Sequence, residues 1–500
     1  MGQVMEWTRS LSYKPYNQWS KSYHRELISE IQNSEWKLAF HILPETGLLN
    51  DPNGFSYYNG EWHLFYQAYP FGPVHGVKSW YHMTSKNLVD WKQNDYVLLP
   101  DSDYDSHGAY SGSALSVDDK LFIMYTGNVR NDHWERHSYQ LGAWLNQDMQ
   151  LKKFDDPLIP EPPAGYTHEF RDPQVFRYQD EYLMIIGAQT EDKKGAVLTY
   201  QSPDLMNWHC IGELDYTKEE MGFMVECPNL LFIDEQPVLL FCPQGLDKNI
   251  KPYQNIFPNT YVIGSSFDRE NTKINDVSDL VHLDEGFDLY ATQAFNAPDG
   301  RVLSVGWVGL PEINYPSFEE EWAHCLSIVK ELTIQDNHLY QTPVSEMKDL
   351  RRSETDLNGK ISEEQNQLVY KADENIYELL LELDTEASGT LTLFADKTNS
   401  SGLKLSYDAD NHTITMDRSR AGISFGEEYG TTRSAEIRPE DKLKLHIFVD
   451  RSVCEVFIND GYRVMTSRVF LENADDTHVF LEGFKGAFSG NVWELRKMNE

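Results

Sequence analysis

The chain has 500 residues, with 43 Lys and Arg against 79 Asp and Glu, a net charge of −36 at pH 7. That length allows two or more domains, and the acidic balance excludes the basic footprint that nucleic acid or an anionic membrane surface requires. Aromatic residues form 13% of the chain, which excludes a disordered polymer.

Residues 1–20 hold no apolar run of the length a secretion signal needs, and no later stretch approaches the roughly 20 apolar residues of a membrane span. Five scattered cysteines, Cys210, Cys227, Cys242, Cys325 and Cys454, read as free thiols of a reducing compartment. The expectation is a cytoplasmic protein. Leu27, Ile28 and Ile31 lie at helical spacing, so an N-terminal extension, residues 1–36, is predicted to end in a short amphipathic helix packed on the outside of the first sheet.

From 37 to 345 one pattern recurs: a polar turn, then an alternating apolar strand ending in small or polar residues. It stands around Gly60, Asp119, Asp180, Glu235 and Gly300. A second repeat, S-x-x-L-x-x-W, ends at Trp91 and again at Trp208. Both predict a five-bladed β-propeller, in which four-stranded sheets pack radially around a channel. Residues 346–367 are polar and read as a connector. Beyond them, 368–500 carry short alternating runs (LLLEL, LTLFA, LKLSY, TITMD, LKLHIFVD, CEVFIND, THVFLEG) and predict a C-terminal β-sandwich. The fold class is all-β.

Three acids stand near the starts of blades, in LLNDPNG (Asp51), EFRDPQVF (Asp172) and MVECPNLL (Glu226). Asp-Pro and Asn-Gly are ordinary turn dipeptides, but three acids spaced by blade lengths would meet at one end of a central channel. The residue before proline is pushed toward extended conformations, which predicts fixed directions for Asp51 and Asp172. Paired carboxyl groups are what glycoside hydrolysis uses: one protonates the leaving oxygen, the other attacks or activates water.

The motifs Asn50-Asp51-Pro52-Asn53-Gly54, Arg171-Asp172-Pro173 and Glu226-Cys227-Pro228 resemble glycoside hydrolase family 32. The resemblance extends through FYQ (65–67), YSGSA (110–114), DLYATQAF (288–295) and GW (306–307) to LKLHIFVDRSVCEVFINDG (443–461). It implies a retaining beta-fructofuranosidase with no cofactor. Asp51 would be the nucleophile, Glu226 the acid/base and Asp172 the stabiliser of the transition state. Asn50, Gln67, Trp80, Tyr110, Ser111, Arg171, Tyr290 and Trp307 would bind the sugar. Arg171, beside Asp172 in sequence, could keep that acid ionised, unless strand alternation points the two side chains apart.

Two segments are similar to the members of the family that act on sucrose 6-phosphate. Where a tryptophan commonly follows the glutamine by eight residues, this chain has His75, with Lys78 close behind; a second basic cluster holds Arg130, Arg136 and His137. On so acidic a chain a phosphate ester needs local cations, and these five are the candidates. Fructan hydrolysis and fructosyl transfer are rival activities on the same scaffold, and a noncatalytic sugar-binding propeller is a more distant one. No histidine spacing suggests a metal site. The expected partner is a small sugar or sugar phosphate, with a homodimer possible.

Overall fold

Each of the five recurring turns closes a hairpin, and each hairpin opens a sheet. In the computed structural model, which describes residues 6–384, 386–439 and 442–500, the leading strands are Gly47–Tyr58, Ala109–Val117, Tyr166–Tyr178, Met224–Ile233 and Leu289–Asn296. Each pairs antiparallel with the strand that follows its turn, and two further main strands complete each sheet in chain order. The turns Asn59-Gly60 and Asp234-Glu235 have both residues at positive φ, the twist that suits a two-residue hairpin. The S-x-x-L-x-x-W repeats form equivalent corners. Leu88 and Leu205 sit at φ 63° and 68°, and the indoles of Trp91 and Trp208 donate to their carbonyls at 3.0 and 2.8 Å.

One polar side chain per leading strand ties each sheet to the next. Asn53 Oδ1 accepts from Gly112 N–H, Ser113 Oγ from Val175 N–H, Gln174 Oε1 from Leu230 N–H and Asn229 Oδ1 from Ala294 N–H. Gln293 Oε1 then accepts from Phe55 N–H at 2.8 Å, which brings the fifth sheet back to the first. These buried bonds satisfy backbone donors that the end-on approach of the strands would otherwise leave unpaired.

The strands from Arg351 onward form two six-stranded antiparallel sheets. Their inner faces share one apolar core, which includes Leu379, Leu381, Ile447 and Val456 from one sheet and Leu391, Leu405, Ile414 and Leu481 from the other. The chain is mostly β, and a propeller followed by a sandwich is consistent with this arrangement. The polar stretch 346–367 is not a free connector. Arg351–Ile361 is a strand paired with the last strand, Gly486–Leu495, and Asn366–Lys371 lies in the second sheet. Its polar residues face solvent from an edge strand, which makes the segment look like a linker in sequence.

Buried acids fasten the sandwich to the first five sheets. Asp450 accepts from the backbone N–H groups of Ala39, Phe40 and His41 and meets His41 Nδ1 at 2.9 Å. Glu455 meets His41 Nε2 at 2.9 Å, accepts from Ile328 N–H and pairs with Lys330 at 3.0 Å. Asp288, two residues before Tyr290, accepts from Tyr315, Arg418 and the Arg468 backbone. The motif 443–461 therefore works as an anchor. The expected helix spans Lys21–Asn33 and buries Leu27 and Ile31, while Ile28 is half-buried. No helix among the described residues is long and apolar enough to cross a membrane.

Candidate active site

Every leading strand carries the same irregularity, two residues facing one. Asn50 and Asp51 oppose Gln67, Tyr110 and Ser111 oppose Thr126, and Asp172 and Pro173 oppose Ile186. Cys227 and Pro228 oppose Phe241, and Ala291 and Thr292 oppose Gly306. A bulge turns side chains out of the regular alternation and bends the strand. Here five bulges aim their residues into one region, and the three acids lie in or next to them. The pre-proline expectation fails at Asp172, whose φ is +69°. The bulge imposes a left-handed conformation, which costs a non-glycine residue about 1–2 kcal/mol.

Asp51 is held at both oxygens. Oδ1 accepts from Asn50 Nδ2 at 3.1 Å, and Oδ2 accepts from Ser111 Oγ at 2.5 Å. The Cys227 thiol lies 3.6 Å from Asp51 Oδ2 and 3.6 Å from Asp172 Oδ2, and Asp172 Oδ2 also accepts from Cys227 N–H at 2.9 Å. Ligand atoms of Asp51, Asp172 and Cys227 thus fall within 4.8 Å of one another. Glu226 takes two bonds from Arg171 on Oε1 and one from the Tyr290 hydroxyl on Oε2 at 2.7 Å. Burial, then the Glu226 charge, pushes the Asp172 carboxyl up to about 7, against the pull of Arg171. Asp51 is raised mainly by burial.

Arg171 does not point at Asp172. Its guanidinium grips Glu226 and Glu169, because adjacent strand residues face opposite ways. Gln67 is buried and accepts from Asn50 Nδ2. Tyr290 and Trp307 are both nearly fully buried, their ring centres 6.0 Å apart, and the Trp307 indole N–H has no partner among the described residues. Trp80 departs from its expected role. It is wholly buried, and its indole donates to the Tyr110 carbonyl at 2.9 Å, so it fixes the second bulge from behind.

The five basic candidates divide. Lys78 is buried, donates to Asn50 Oδ1 at 2.7 Å and meets His75 Nδ1 at 3.0 Å. Burial lowers its ammonium to about 7, although the Asp51 charge opposes this. It belongs to the Asp51 side of the site. The His75 ring lies 5.9 Å from Trp307. His137 turns to Glu161 and lies tilted against His168, centroids 4.0 Å apart. Arg130 and Arg136 face each other across a strand pair. Arg130 donates to the Trp134 carbonyl and Arg136 to Glu169, and the Nε of each is buried without a partner among the described residues.

His137, Glu161 and His168 also place ligand atoms within 4.8 Å of one another. Ser138 N–H points at His168 Nδ1 at 3.5 Å, which favours the tautomer whose Nε2–H donates to Glu161. The trio is a hydrogen-bonded cluster. Spacing arguments missed it, together with Cys227 and Glu169 as parts of the acid site. The Glu226-Cys227-Pro228 motif could have pointed to the thiol, and Glu169, which opens the EFRDPQVF motif, lies two residues before Arg171.

The family model described as "Glycosyl hydrolases family 32 N-terminal domain" matches residues 41–343, and the one described as "Glycosyl hydrolases family 32 C terminal" matches 346–494. A sucrose-6-phosphate hydrolase of Pediococcus pentosaceus is 50% identical over 99% of this chain and 97% of its own length. One of Streptococcus mutans is 44% identical over 98% and 100%. The solved structure of sucrose-6-phosphate hydrolase from Lactobacillus gasseri superposes with a TM-score of 0.94 at 44% identity, covering 99% of this chain and all of that one. A Bombyx mori beta-fructofuranosidase superposes with a TM-score of 0.83 at 29% identity, covering 96% and 97%.

Proposed function

This chain belongs to family 32 of the glycosyl hydrolases, and we propose that it is a retaining beta-fructofuranosidase that hydrolyses sucrose 6-phosphate to glucose 6-phosphate and fructose. The observation that carries the reading is the convergence of Asp51, Asp172 and Glu226 from the first, third and fourth sheets.

In the first step an Asp51 oxygen attacks the anomeric carbon of the fructosyl unit. The bond to the glucosyl oxygen breaks, and that oxygen takes its proton from Glu226. In the second step Glu226 removes a proton from water, the water oxygen replaces Asp51 at the same carbon, and fructose leaves with its configuration retained. Asn50 and Ser111 fix the attacking carboxylate in one orientation. Asp172 accepts hydroxyls of the fructose ring, where charge develops. Gln67, Tyr290 and Trp307 complete the fructose-side wall, and the unpaired Trp307 N–H is a donor ready for a sugar hydroxyl.

Arg130 and Arg136 support the phosphorylated substrate. Arg136, Arg130 and Arg171 crowd together, and burial and the Arg171 charge weaken the hold of Arg136 on its proton. A dianion would relieve that repulsion through charge-assisted bonds. Lys78, engaged with Asn50, serves the fructose side, and His137, paired with Glu161, stands apart. A phosphorylated sugar also suits a cytoplasmic enzyme. The proposal includes a five-bladed propeller over residues 37–345 and a sandwich that begins at Arg351. Steady-state kinetics on sucrose 6-phosphate and sucrose test it: a kcat/KM at least about tenfold higher for the ester is expected, and equal or better use of sucrose would contradict the substrate.

A further inference from the structure

The segment 7–19, outside the family match, straps across the flank of the site. The Trp7 indole stands edge-on to Tyr69, 5.7 Å between centres, and fills the space over Gly72, where any Cβ would collide with it. The Ser12 carbonyl accepts from Val77 N–H at 3.0 Å and would collide with a Cβ at Gly76. The Tyr16 hydroxyl bonds the Val77 carbonyl at 2.8 Å and the Ser79 hydroxyl at 3.0 Å. These contacts seat the strap on the loop that leads into Lys78.

Its other side reaches the second sheet. The Tyr13 ring stands edge-on to Trp134 at 4.9 Å, and the Arg9 guanidinium covers the same indole at 4.5 Å. Arg130 lies 5.8 Å from the centre of the same indole, and Arg136 lies 5.6 Å from the centre of the neighbouring Tyr110 ring. Burial and the neighbouring phenol of Tyr110 keep the Tyr13 hydroxyl protonated, although the two arginines oppose this. A protonated phenol can donate its O–H. A half-buried O–H beside two arginines, each with an unpaired Nε, is a donor set for an anion.

We propose that the N-terminal strap forms one wall of the subsite for the phosphorylated sugar and that Tyr13 is a specificity-determining residue there, donating to the phosphate alongside Arg130 and Arg136. This rests on the phosphate reading of the arginine pair. Tyr13→Phe keeps the ring and its seat and removes only the hydroxyl. The KM for sucrose 6-phosphate is expected to rise about tenfold or more, with a much smaller change for sucrose, and inorganic phosphate should inhibit the variant correspondingly less. Equal changes on both substrates, or none, in an enzyme whose wild type prefers the ester would overturn the role of Tyr13 alone. A wild type that does not prefer the ester would remove the phosphate reading, and the strap's role with it.

Discussion

The Arg171 guanidinium donates from Nε at 2.9 Å and Nη2 at 2.8 Å to a single oxygen of Glu226, while the Tyr290 hydroxyl holds the other. Glu226 is therefore clamped from both sides, with Glu169 as a second anion on the same guanidinium. Arg171→Lys keeps the charge and loses the planar fork. A displacement of the acid/base by an ångström is enough to lower kcat by about a hundredfold, and a fall approaching that size is expected on both substrates. Stopped assays under saturating substrate measure it.

The acid site also sets a pH dependence. Asp172 is raised to about 7 by burial and by Glu226, and Asp51 is raised as well. Their titrations belong to the group as a whole. Below about 7 Asp172 is protonated and cannot counter the charge that develops on the fructosyl ring; above it, the carboxylate can. The kcat/KM profile should rise as pH rises through about 7, and Asp172→Asn should abolish that limb along with most of the activity.

Lys78 and Arg136 should separate by substrate. The Lys78 ammonium holds Asn50, which holds Asp51. Lys78→Ala is expected to lower kcat/KM about tenfold or more on sucrose and on its ester alike, since it removes a charge-assisted bond to the residue that orients the nucleophile. Arg136→Gln should lower the ester's kcat/KM by about tenfold to a hundredfold and leave sucrose far less affected.

A separate dependence lies at the sandwich anchor. Burial alone would depress His41, but the carboxylates of Asp450 and Glu455 outweigh it and raise the imidazole to about 9. The folded state thus holds this proton more tightly than the unfolded chain does. The stabilisation is complete below the unfolded value of about 6.5 and disappears as pH rises through about 9, with about 3 kcal/mol at stake. Glu455, held down to about 2 mainly by Lys330 against its own burial, keeps its contribution until strongly acid conditions. Melting temperature should therefore fall between pH 7 and 10 in the wild type, and His41→Gln should melt lower at pH 7 with a flatter decline.

Much of this was legible in the chain. The five turns, the paired tryptophan corners and the three acid motifs each correspond to elements of the same kind, because hairpin turns and alternating strands are local signals. What sequence could not supply was direction. Trp80 has the composition of a sugar platform yet faces inward, Lys78 resembles a phosphate ligand yet is drawn to Asn50, and Arg171 turns from its neighbour Asp172 to Glu226. Each depends on which partner the folded chain brings within reach, and that is not a local signal. The strand Arg351–Ile361 was hidden for another reason: an edge strand with polar residues looks like a linker.

The nucleophilic role of Asp51 is tested most directly by the configuration of the product. With sucrose 6-phosphate as donor and methanol competing with water, the fructosyl unit is captured as a stable glycoside whose anomer can be read by proton NMR. Attack by Asp51 followed by attack of methanol on the opposite face gives methyl β-fructofuranoside. Methyl α-fructofuranoside in its place would mean a single inversion and would remove Asp51 as the residue that bonds to the sugar.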